Sequence, residues 1–150
     1  MIKKIFFDTD VILDVILKRQ LHFAPSQQVM SLAESGLIQG HTSSLIIANC
    51  YYIISSIEDN KTAIKAILKL KVFLKILSFT DKEISQSLNS EIKDFEDAIQ
   101  FFICVNNNIN NLITRNVSDY RKMEINALSQ KDFLNLDEIK TIIEKPGKHD

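Results

Sequence analysis

The chain has 150 residues, 45% of them apolar and 25% charged, and a formal net charge of −1. This is the balance of a soluble globular protein, long enough to bury a substantial core as one domain over residues 1–150. No global field draws it to nucleic acid or membrane, so a polyanionic partner must be met by a local patch. The apolar runs are too short and too often interrupted for a signal peptide or a membrane span. Cys50 and Cys104 fall inside apolar helical patterns without partnering spacing, as in a reduced cytoplasmic protein.

The first element is a short buried strand over Ile5, Phe6 and Phe7, ended by Asp8. Thr9 and Asp10 follow, and Val11 to Lys18 reads as an amphipathic helix. Locally, Asp10 suits a helix cap and Asp14 a solvated outer face. Asp8 instead closes an apolar strand, at the sheet edge where open α/β proteins bind ligands. Arg19 to Phe23, with His22, is a connector. Pro25 opens a second helix, Ser26 to Ser35, which Gly36 stops. A strand over Leu37 to Thr42 leads into Ser43 and Ser44, which can cap the next helix. That helix, Leu45 to Ile57, is almost wholly apolar around Asn49 and should be buried on more than one face.

Lys61 to Lys71 is predicted helical, with Ile64, Ile67 and Leu68 as its apolar series. Lys61, Lys65 and Lys69 line its other face, as a solvated row or as contacts to an RNA backbone. Phe73 to Phe79 reads as a strand, and Asp81 to Leu88 as a helix capped by Thr80 and Asp81. Asp94 caps a helix running to Val105. Leu112 to Thr114 is a strand, followed by the polar loop Arg115 to Asp119. Ile125 to Leu128 is a last strand, Ser129 to Leu134 and Asp137 to Glu144 are short helices, and 146–150, with His149, is a frayed tail. Alternating strands and helices predict an α/β fold with a parallel sheet.

Asp8 and Asp119 thus sit at the ends of predicted parallel strands, and Asp94 and Asp97 lie three apart at a helix start. Each has a local explanation as well: a cap for Asp94, a dipole partner for Asp97, a turn for Asp119. Converging without a basic partner, the four would raise one another's pKa values, and a divalent cation bound by oxygen would relieve that repulsion.

The segments "FFDTDVILDVILKR", "HTSSLIIANCYYII", "DFEDAIQ" and "LITRNVSDY" together resemble, in order and over essentially the whole chain, the PIN-domain family, in particular bacterial VapC-type toxins. The resemblance implies a three-layer α/β/α sandwich with a parallel sheet of four or five strands, and a Mg²⁺- or Mn²⁺-dependent ribonuclease. It implies Asp8, Asp97 and Asp119 as the metal-site acids, with Asp94 an additional one. Thr114, Asn116 and Ser118 would position water or phosphate, and Thr9, Asp10 and Ser43 support the site. Arg115, beside these residues, is a candidate phosphate contact. The family's second acid falls here on Asn49, which offers a carbonyl oxygen but no charge. Asn49 is read either as a weakened site member or as a hydrogen-bonding residue of a packed helix. For a toxin of this kind the resemblance further implies RNA as substrate, a homodimer and a cognate antitoxin protein, with no membrane partner.

Two other readings stay open. "FFDTDVIL" also resembles the opening of haloacid-dehalogenase phosphatases, with Asp8 as nucleophile, Asp10 as acid/base, and Ser43 and Lys82 in support. Asn49 motivates the other, a PIN-like domain that has become a binding module.

Overall fold

The apolar run at the start of the chain becomes the centre of a sheet. In the computed structural model of the protein, which describes residues 3–145, five strands pair in parallel. They are β1 (Lys4–Phe7), β2 (Gln39–Ser43), β3 (Leu74–Leu77), β4 (Asn111–Ile113) and β5 (Asn126–Leu128), in the order β3-β2-β1-β4-β5. Phe6 aligns with His41 on one side and Leu112 on the other. With a neighbour on each edge, β1 keeps Ile5, Phe6 and Phe7 fully buried, as a central parallel strand requires.

Among the described residues, eight helices connect or follow the strands: α1 (Thr9–Ile16), α2 (Phe23–Glu34), α3 (Ser44–Ile57), α4 (Asn60–Phe73), α5 (Asp81–Leu88), α6 (Phe95–Asn106), α7 (Gln130–Leu134) and α8 (Asp137–Glu144). Parallel crossovers are right-handed. The outward steps from β1 to β2 to β3 therefore place α1–α4 on one face, and the return to β4 places α5 and α6 on the other. The packing agrees, since α1–α4 contact one another, α7 rests on α2, and α5 pairs with α6. The result is the expected α/β/α sandwich, with its direction of travel reversing at β1.

Helix starts follow the predicted capping residues. Ser43 Oγ accepts from the Ile46 N–H at 3.1 Å, and Asp94 Oδ1 from the Asp97 N–H at 2.9 Å. Thr80 and Glu83 form a capping box at α5. Three expectations change. The cap of α1 is Asp8, not Asp10, because the helix begins at Thr9. Helix α3 fully buries only Ile46, Cys50 and Ile54, with Leu45, Ile47, Tyr51 and Ile53 partly buried beside them, and leaves Tyr52 70% exposed. Helix α4 is turned from its predicted face: Ala63 and Leu70 are its buried residues, while Ile64 and Leu68 are 50% and 62% exposed. Lys61, Lys65 and Lys69 are exposed, as a solvated row. The predicted tail, 146–150, lies outside the described residues.

Gly40 in β2 sits where the sheet packs tightly against its neighbours. A Cβ there would stand 2.5 Å from Leu74 Cδ2 and 2.9 Å from both Ala33 Cβ and Phe7 Cε2. Gly40→Ala should therefore overpack the core and lower the unfolding free energy by about 1–3 kcal/mol, read as a lower urea midpoint with an unchanged slope.

Candidate active site

At the carboxyl ends of the strands, next to the point where strand order reverses, lies an open pocket of about 430 Å³. Open α/β sheets bind ligands at such a switch point. Residues from four places line it. Asp8, Thr9 and Asp10 come from the end of β1 and the start of α1, and Asn116 from the loop after β4. Asn49, Tyr52 and Ile53 come from α3, and Glu96, Asp97 and Gln100 from α6. Four of these are carboxylates, and none of the lining residues is Lys or Arg.

Asp8 is fixed through both oxygens. Thr114 Oγ1 donates to Oδ2 at 2.7 Å and the Thr9 N–H to Oδ1 at 2.8 Å. Thr114 Oγ1 also accepts from the Asn116 N–H at 3.0 Å, which shapes the loop. Burial raises the Asp8 pKa, these two hydrogen bonds oppose the rise, and the charges of Asp10 and Asp119 add to it. Asp97 lies in the first turn of α6, where the helix dipole favours a negative charge. Its pKa is nevertheless pushed up to about 6, by burial first and then by Asp94 and Asp8. Tyr120 Oη donates to Asp97 Oδ1 at 3.3 Å.

The structure thus brings Asp8, Asp97, Asn49, Thr9, Asp10 and Asn116 to one space, with Thr114 directly behind. Asp94 and Asp119 do not line it. Asp94 is engaged as the α6 cap, and Asp119 sits exposed in a 3-10 turn, Val117–Tyr120. Both are near enough for their charges to raise Asp97. Ser118, in the same turn, is exposed and outside the lining. Ser43 is buried and caps α3, so it positions the helix that carries Asn49. Lys82 is exposed in the first turn of α5. With Ser43 turned to a cap and Lys82 outside the lining, the phosphatase constellation does not assemble.

Asp14 and Arg115 depart most from expectation. Asp14 is fully buried, not solvated. Its Oδ1 accepts from Arg115 Nη1 at 3.1 Å, and its Oδ2 from Ser26 Oγ at 3.1 Å and Gln130 Nε2 at 3.4 Å. Arg19 Nη1 stands 3.7 Å from Asp14 and 2.8 Å from Asp10. Arg115 is thereby held to Asp14, with Asp10 at 3.9 Å, and does not line the pocket. A carboxylate without solvent needs such partners.

Gln100 and Tyr120 went unnoticed in the sequence. Gln100 is 4% exposed, and its Oε1 has no hydrogen-bond partner. Its only local signal is its position three residues after Asp97, on the same helix face. Tyr120 is buried beneath Asp97, and only its place next to Asp119 hinted at the site.

The donor set suits a hard divalent cation, being carboxylate and amide oxygen without Cys or His at the pocket. Among the described residues no three acidic, His or Cys groups close around a single point. Mg²⁺ is commonly held by only one or two carboxylates and keeps several waters, and Asp8 with Asp97 matches that pattern. The unpartnered Gln100 oxygen and the Asp8 and Asp97 carboxylates, which form no ion pair among the described residues, fit such a cation.

A PIN-domain family profile matches residues 4–118. Ribonuclease VapC1 of Aquifex aeolicus is 26% identical over 136 residues, covering 87% of this chain and 93% of that protein. Among solved structures, the fold resembles VapC20 of Mycobacterium tuberculosis, a sarcin-ricin loop cleaving toxin. The TM-score is 0.64 at 14% identity, over 81% of this chain and 98% of that one. It also resembles VapBC2 of Rickettsia felis bound to a promoter DNA fragment, with a TM-score of 0.65 at 15% identity, over 84% of this chain and 98% of that one.

Two measurements test the electrostatics. Folding favours protonated Asp97, so its contribution to stability is intact below its ordinary pKa of 3.8 and is lost as pH rises through about 6. The metal-free protein should therefore lose stability relative to Asp97→Asn between pH 4 and pH 7, read from urea midpoints of the two proteins. Arg115→Met leaves Arg19 as the remaining cation for buried Asp14. It should cost about 3 kcal/mol in urea unfolding, whereas loss of an arginine that met only phosphate would leave stability unchanged.

Proposed function

The chain belongs to the PIN-domain family, and on that premise we propose that it is a Mg²⁺- or Mn²⁺-dependent ribonuclease, the cytoplasmic toxin of a toxin–antitoxin module. The observation that carries this reading is the pocket at the strand-order reversal, where Asp8 and Asp97 share one space without a neutralising side chain. The relative from Aquifex aeolicus, whose name is that of a ribonuclease, supports the same activity. RNA is the proposed substrate, the inhibitor is a cognate antitoxin protein, and the working form is a homodimer.

In this reading Asp8 and Asp97 hold the ion, with Asp94 and Asp119 adding negative potential from just outside the pocket. When bound, the ion supplies an activated water and relief of charge on the phosphodiester. The chain's own part is positional. Thr114 and the Thr9 N–H fix the Asp8 carboxylate, and Tyr120 fixes Asp97. Asn116, on the loop that Thr114 shapes, lies where it can donate to a phosphate oxygen or a water. Asn49 enters from α3 as a neutral oxygen donor and adds no charge, which weakens the hold on the cation. No His or Cys nucleophile lines the pocket to offer another route. Among the described residues, no helix is long and apolar enough to cross a membrane.

Purified protein should cleave RNA slowly with Mg²⁺ or Mn²⁺ and stop when a chelator is added. Asp97→Asn should lower cleavage by roughly 100-fold or more while keeping the fold, and Asn49→Glu should tighten Mn²⁺ binding. Cleavage that survives chelator, or full activity in Asp97→Asn, would sink the reading. A folded wild type that binds Mn²⁺ yet cleaves no RNA substrate would favour the binding-module reading that Asn49 motivates.

A further inference from the structure

Gln100 presents a problem that the acids alone do not resolve. It is 4% exposed and lines the acidic pocket, yet its side-chain carbonyl has no partner, the one such atom among the buried side chains described. A buried carbonyl left unpaired opposes folding, and native proteins retain few of them unless water, an ion or a ligand completes the bond. Gln100 lies three residues beyond Asp97 on α6, so both side chains leave the helix on the same face. Asn49 reaches the same pocket from α3. The amide side chains of Asn49 and Gln100 therefore line the same space as Asp8, Asp10, Glu96 and Asp97, with no lysine, arginine, histidine or cysteine in its lining.

We infer that Gln100 is a positioning residue of the cation site, its Oε1 accepting a hydrogen bond from a water held on the ion. The inference rests on the metal-dependent reading above and adds to it a specific partner for the hydration shell. A neutral acceptor is suited to this place. Another carboxylate one turn from Asp97 would add to the mutual repulsion of the acids that line the pocket. An amide oxygen instead accepts a hydrogen bond without adding to the negative potential of the site. The arrangement also gives the Gln100 oxygen a partner.

The test uses the full chain and Mn²⁺ alone, with titration calorimetry for affinity and thermal melting of the metal-free protein. Gln100→Met keeps length and approximate volume but removes the carbonyl. It should weaken Mn²⁺ binding by roughly tenfold or more, as loss of an outer partner of a metal site does, without lowering the metal-free melting temperature. Gln100→Glu should bind Mn²⁺ more tightly than wild type and melt lower without it. A Gln100→Met protein that melts lower without metal, or fails to fold, would show the amide to be structural and overturn the inference. Unchanged Mn²⁺ affinity in Gln100→Met, with affinity lost in Asp97→Asn, would overturn it and leave the ribonuclease reading standing. Absence of Mn²⁺ binding by wild type would remove both.

Discussion

The hydrogen bond from Thr114 to Asp8 joins the ends of two adjacent strands, and the geometry of the pocket is built outward from it. One hydroxyl orients the carboxylate of β1 and, by accepting the Asn116 N–H, bends the loop that leaves β4. With the Thr9 N–H on its other oxygen, Asp8 has no freedom to rotate toward a distant partner. Burial raises its pKa despite both bonds. A half-buried carboxylate without a counter-ion opposes folding, so its place here fits a functional demand more than a structural one.

The cations near this edge are drawn to a second tier of acid. Asp14, one helical turn beyond Asp10, lies without solvent among Arg115, Arg19, Ser26 and Gln130. Its partners come from α2, from the loop after β4, from the connector after α1, and from α7. This cluster braces the layers and also occupies both arginines. Asp10 stands between the tiers, facing the pocket while bound to Arg19 at 2.8 Å. The separation keeps Asp8 and Asp97 free of neutralising side chains. Two acids of α1, four residues apart in sequence, thus take opposite roles because their partners differ.

Much of this was legible in the sequence, for local reasons. A short β-rich apolar run ending in an acid identifies a central strand and its functional end. Asp94 before "FEDAIQ" identifies a helix start, and Ser43 and Thr80 identify two more. These signals depend on neighbours a few residues away. The fate of Asp14 was not legible, since its partners lie 12, 101 and 116 residues distant. The facing of α4 was not legible because hydrophobicity favours Ile64 and Leu68, whereas Ala63 and Leu70 are the residues buried. Gln100 and Tyr120 were missed because an uncharged amide and an aromatic ring in an apolar helix or loop read as ordinary structure. Only their placement against Asp97 distinguishes them.

The order of the strands also has a consequence during biosynthesis. The central strand is the first to be made, but one of its two neighbours, β4, is encoded more than a hundred residues later, and 106 positions separate Asp8 from Thr114. At translation rates of about 5–20 residues per second, that interval is roughly 5–20 s. Throughout it, the nascent chain has β1 open along one edge and Asp8 without its anchoring hydroxyl. The Asp8 carboxylate therefore lacks its full set of anchors on the ribosome until β4 has emerged.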